Sequence, residues 1–161
     1  MDRIKDIIER SGAMTFLLVS PEDTGTIISS YKACLKTGAL FVINLQAIYA
    51  VDKARKNLKD IPPFNWKNVK IKFFKEDLTG LKDVIPPPLL YFYNTNKIDM
   101  FGIRKKKGKI LMLVSDEAMF PRVLKEMGGA EGAAVIYAGG GEASESFREL
   151  CIRKGLTLKF L

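Results

Sequence analysis

The side chains with the most chemistry to offer are cationic. Lys67, Lys70, Lys72 and Lys75 follow closely on Phe64 and Trp66, and Arg104, Lys105, Lys106, Lys107 and Lys109 form a second run broken only by Gly108. Lysines interleaved with aromatic rings can neutralise phosphates and stack bases. The same residues also suit plainer work. A charge run can be a solvated loop, and a tryptophan beside prolines can anchor one.

What is missing narrows the chemistry further. The 161 residues include no histidine. That excludes His-ligated metal sites, Ser-His-Asp and Cys-His nucleophile systems, and any His general base. Two cysteines, Cys34 and Cys151, neither form a disulfide scaffold nor supply a structural zinc set. Both lie in apolar stretches and read as core residues in a reduced, cytosolic setting.

Charge is strongly segmented. With 26 Lys and Arg against 18 Asp and Glu, the net charge is +8. Residues 53–75 carry eight basic and one acidic group, and residues 97–109 carry six and one. The remaining segments are each slightly negative. Such local asymmetry points to a polyanion more sharply than a uniformly basic chain would.

The elements that must position these groups follow from hydrophobic periodicity. Residues 2–11 place Ile4, Ile7 and Ile8 on one helical face. Apolar strands are expected at 14–20, 39–45, 109–115, 132–138 and 156–161, and a half-exposed strand at 68–74, where Val69, Ile71 and Phe73 alternate with Lys70 and Lys72. Helices are expected from Pro21 to about Lys36, from Gln46 to about Leu58, and over 116–127 and 142–155. The prolines at 62–63 and 86–88 read as breaks, and 91–103 favours no single element. Near-continuous apolar strands alternating with helices predict a three-layer, Rossmann-like α/β domain over 1–161, with a mostly parallel sheet of about six strands. No apolar run reaches the ~20 residues of a membrane-spanning helix, and the charged start does not read as a signal peptide.

Ligands of open parallel sheets sit beyond the carboxyl ends of the strands. Those ends carry Ser20, Asn44, Ser115 and Gly139-Gly140-Gly141. They are polar enough for a cleft, although Asn44 and Ser115 also suit helix N-caps. The three glycines can cradle a phosphate or simply form a turn, and they match neither GxGxxG nor a P-loop.

Three stretches together resemble a known family. Lys32, Ala33, Lys36, Thr37 and Gly38 end a helix; Val42, Leu45, Ala47 and Tyr49 follow in the next strand and helix; Trp66, Asn68, Val69 and Phe73 lead into a further strand. In this combination, and in the tail from 128 to 161, the chain resembles the beta-CASP domain of metallo-beta-lactamase-fold nucleases of the ribonuclease J-like kind. The resemblance implies a Rossmann-like module that clamps RNA or DNA over a two-zinc site held by an in-cis metallo-beta-lactamase domain. The zinc belongs to that parent enzyme, and this chain would be non-catalytic alone, with no metal or cofactor of its own. Departures are Asn44 in place of an aspartate, Ala39 in place of an arginine, and AGGGEA at 138–143 in place of an aromatic segment. The last expected strand reaches the final residue, which fits a piece of a larger chain. Two other readings stay open: a free-standing domain binding a small phosphorylated ligand at the strand ends, and a protein-interaction module.

Overall fold

Six strands form one sheet, β1 (Met14–Leu18), β2 (Leu40–Asn44), β3 (Val69–Lys72), β4 (Ile110–Val114), β5 (Ala134–Tyr137) and β6 (Thr157–Phe160), in the computed structural model, which describes residues 2–161. Every pairing is parallel, and the order is β3-β2-β4-β1-β5-β6. The expected α/β architecture is therefore present, with a sheet that is wholly rather than mostly parallel.

Alternation along the strands builds the two cores. Leu17, Phe41, Ile43, Leu111 and Leu113 point to one face, where they meet Ile4 and Ile8 of α1 (Asp2–Arg10), Ile27, Tyr31 and Cys34 of α2 (Thr24–Thr37), and Leu45, Ile48 and Val51 of α3 (Leu45–Arg55). Phe16, Leu18, Val42, Met112 and Val114 point to the other. There they meet Met100 and Ile103 of α6 (Met100–Lys105), Phe120, Val123 and Leu124 of α7 (Phe120–Glu126), and Phe147, Leu150 and Cys151 of α8 (Glu145–Arg153). Both faces are covered, as the unbroken apolar strands require.

Local signals set the helix ends. Asp23 caps α2 by accepting the Thr26 N–H at 3.1 Å, so Pro21 lies outside that helix. Gly38 closes it in the left-handed region at φ 72, where a glycine carries no Cβ penalty. Ser144 caps α8, which begins three residues later than the sequence suggests.

The crossover from β3 to β4 departs most from expectation. It holds α4 (Lys75–Leu81), α5 (Pro87–Thr95) and α6. The proline run is a helix start rather than only a break: Pro87 and Pro88 open α5, where a missing N–H costs nothing. Between α5 and α6 the chain runs along β3, with Ile71 N–H donating to Asn96 and Ile98 N–H donating to Ile71. The outer edge of β3 is thereby covered.

The chain reverses winding between β1 and β4. From β1 it crosses through α2 on one face toward β2; from β4 it crosses through α7 on the opposite face toward β5. Neighbouring strands that wind in opposite senses leave a crevice at their carboxyl ends.

Candidate strand-end crevice and basic edge

At the reversal point lies an open crevice of about 830 Å³, lined in part by Ser20, Ser115, Asp116, Glu117, Tyr137 and Ser144. Asn44 is fully buried beside it. Its Oδ1 accepts the Ala47 N–H at 2.8 Å, capping α3, and its Nδ2 donates to Ser115 Oγ at 2.5 Å. The capping role expected for Asn44 holds. Ser115 is a partner of Asn44 instead of a cap, and the turn after it is held by Asp116, which accepts the Met119 N–H at 2.9 Å. Ser20 is exposed, and its Oγ accepts the Glu22 N–H at 3.4 Å.

The three glycines make a turn. Gly140 sits at φ 67, and a Cβ on Gly139 would stand 2.7 Å from the Tyr137 ring. None of the three is at a helix start, because Ser144 caps α8. The amino terminus of α8 already holds an anion. Glu117 accepts the Ser144 N–H at 3.0 Å, the Ser144 hydroxyl at 2.7 Å and the Tyr137 hydroxyl at 2.9 Å. Burial pushes the Glu117 carboxyl up, but the bonds from Ser144 and Tyr137 outweigh it and hold it below the usual carboxylate range. The crevice thus presents two carboxylates, Asp116 and Glu117, with Glu117 already at the α8 terminus, against one cation among the described lining residues, Arg153. Glu117 carries no local sequence signal, since its partners are 20 and 27 residues away.

The basic segments meet elsewhere. Leu40 N–H donates to Lys109 O at 2.9 Å and Phe41 N–H to Asn68 O at 2.8 Å, so both segments flank the start of β2. Strands β3 and β4 lie two spacings apart across β2, about 10 Å. Lys67, Arg104, Lys105, Lys106 and Lys107 are exposed there. Lys70 is half-buried, with its Nζ donating to Trp66 O at 2.8 Å. Lys72 and Lys75 lie at the opposite end of β3. Lys72 is half-buried, with Nζ 5.0 Å from the centre of the Phe74 ring, and Lys75 is exposed at the start of α4. The structure therefore divides the first lysine cluster between the two ends of a four-residue strand.

Lys109 has a separate task. Its Nζ donates to the carbonyls of Ile8 at 2.8 Å, Glu9 at 2.5 Å and Ser11 at 3.2 Å. An ammonium has three N–H donors, and all three are used on the end of α1.

Trp66 anchors its loop. Phe64 and Trp66 stack edge-on at 5.9 Å, Phe64 meets Tyr31 at 4.6 Å, and Trp66 meets Phe92 at 5.2 Å. Tyr31 OH donates to Pro63 O at 3.3 Å and accepts the Asn65 N–H at 2.7 Å, which fixes the loop to α2.

Neither thiol is poised for reaction. Burial pushes Cys34 up to about 12 and, with a smaller contribution from Glu117, Cys151 up to about 11. They belong to opposite faces of the sheet, so they cannot share a metal ion. Among the described residues, no group of three or more His, Cys, Asp or Glu side chains could hold one. No helix among those residues is long and apolar enough to cross a membrane.

No protein-family model matches the chain, and no curated protein matches it.

Proposed function

We propose that the chain is a nucleic-acid-clamping module, non-catalytic by itself, that grips phosphates along the amino-terminal edge of its sheet. One observation carries this reading: two basic segments separated by a net-negative stretch bring Lys67, from one, and Arg104 to Lys107, from the other, to the same strand end, through the Phe41–Asn68 and Leu40–Lys109 backbone bonds. Exposed cations gathered at one edge attract a polyanion without reading its sequence. The beta-CASP resemblance supplies a context for such an edge, as one wall of a channel whose other wall and zinc come from an in-cis metallo-beta-lactamase domain.

A small phosphorylated ligand at the strand ends is the weaker reading. Glu117 occupies the α8 terminus and Asp116 stands beside it, so a phosphate there would meet two carboxylates.

The test is a charge-reversal series read by fluorescence anisotropy with labelled oligonucleotides. Lys106→Glu/Lys107→Glu and Lys67→Glu/Lys70→Glu should each weaken binding alike for all base compositions. Binding unchanged by both pairs would end the reading, as would tight binding of a mononucleotide with none of oligonucleotides.

A further inference from the structure

The chain has 16 aromatic side chains, and the three that are exposed all lie on α5 and α6: Tyr91 at 73%, Phe92 at 42% and Phe101 at 58%. Phe92 leans on Trp66. Phe101 has a different setting. Met100 and Ile103 anchor α6 in the core, which turns Phe101, Arg104 and Lys105 outward together. Lys105 Nζ lies 4.2 Å from the centre of the Phe101 ring. The helix then runs straight into exposed Lys106 and Lys107. Other lysine–aromatic pairs, Lys97 5.5 Å from the Phe73 ring and Lys72 5.0 Å from Phe74, lie toward the carboxyl end of β3 and do not belong to this edge.

A large ring held in water beside cations serves a ligand that is both flat and anionic. Nucleic acid is both, but only when its bases are free. In a duplex the base faces are stacked on one another, whereas a single strand offers each face to an aromatic side chain. We propose that Phe101, with Lys105 beside it, is a base-stacking platform, and that the preferred ligand of the basic edge is single-stranded nucleic acid. This rests on the polyanion reading above and adds to it what phosphate contacts cannot supply, a preference for unpaired bases.

The consequences differ from those of lost charge. Phosphate contacts set the salt dependence, and stacking does not. The experiment measures anisotropy of a labelled 12-nucleotide thymidine strand and of a 12-base-pair duplex with the wild-type chain, Phe101→Ala, Phe101→Trp and Lys106→Glu/Lys107→Glu. Phe101→Ala should weaken single-strand binding roughly 5- to 100-fold, leave duplex binding within twofold and keep the salt slope. Phe101→Trp should retain wild-type affinity. The lysine pair should weaken both ligands and flatten the slope. Circular dichroism should match throughout, because the ring is mostly outside the core.

If Phe101→Ala leaves single-strand binding unchanged while the lysine pair weakens it, the stacking platform is wrong and the polyanion reading survives. If Phe101→Ala weakens strand and duplex equally, stacking is also wrong. If the wild-type chain binds neither ligand, both fall. Sedimentation supplies the remaining outcome: a self-association lost in Phe101→Ala, without an effect on oligonucleotides, would assign the ring to a protein interface and overturn the proposal.

Discussion

Asn44 and Ser115 join the carboxyl ends of β2 and β4 through a single hydrogen bond, from a side chain that also caps α3. Asn44→Ala should therefore lose a cap and a buried bond together. The expected loss is about 1–3 kcal/mol of stability. A urea midpoint lowered with unchanged slope is the expected result, while oligonucleotide affinity stays the same. A variant as stable as the wild type would mean that a neighbour replaces both contacts.

Asp77 makes the opposite contribution to stability. Burial, then the charges of Glu76 and Asp116, push its carboxyl up to about 6, from 3.8. One of its oxygens is buried without a hydrogen-bond partner. Because the folded state holds this proton more tightly than the unfolded chain, the ionised group weakens the fold above pH 6, and stability is regained as pH falls from 6 toward 3.8. Asp77→Asn should thus raise the melting temperature at pH 7 and lose that advantage near pH 4. An advantage that persists unchanged at pH 4 would show that titration is not its source.

Glu117 titrates with the reverse sign. Its folded-state pKa lies below 4.5, so its stabilisation is present above that value and is lost as pH falls through the folded pKa. Glu117→Gln should be less stable than the wild type at pH 7, and the gap should close in acid. A pH-independent gap would point to the altered hydrogen bonds alone.

Lys109 separates structural from ligand-facing cations. Lys109→Met removes three charge-assisted bonds to the end of α1 and should cost roughly 2–3 kcal/mol. Amide hydrogen exchange in α1 should accelerate before that in the sheet. Affinity for oligonucleotides should change less than in Lys106→Glu/Lys107→Glu, and an equal loss would return Lys109 to the binding surface.

Salt dependence tests the proposed phosphate contacts. With about three to five contacts and a slope of roughly −0.7 per contact for a single strand, affinity should fall on the order of 20- to 130-fold between 50 and 200 mM salt. A salt-insensitive affinity would remove phosphate contact as its source.

Sheet and helices are legible in the sequence wherever one periodicity dominates. Phe16 and Leu18 against Leu17 and Val19 declare a strand buried on both sides, and the structure sends those pairs to different faces. The segment from Glu76 to Phe101 is not legible in this way. Its helices are short and keep Leu78, Tyr91, Phe92 and Phe101 exposed, so no apolar stripe marks them. The two basic segments are visible as composition, but their meeting depends on strand order, which periodicity does not encode. The bonds of Glu117 to Ser144 and of Lys109 to Ile8 span 27 and 101 residues, and only the finished fold reveals them.

Strand order also governs how the polypeptide can acquire this fold. β1 precedes the other five strands of this sheet in the chain, yet its two neighbours are β4 and β5. Until Ile110 and the residues after it have been synthesised, β2 can pair only with β3, and the segment Met14–Leu18 has no partner. A nascent chain must carry that apolar strand unpaired until β4 is made, as well as an α1 whose end awaits Lys109. Productive collapse is therefore a late event, built on contacts distant in sequence that close slowly. During that interval the first strand is the surface most exposed to misassociation.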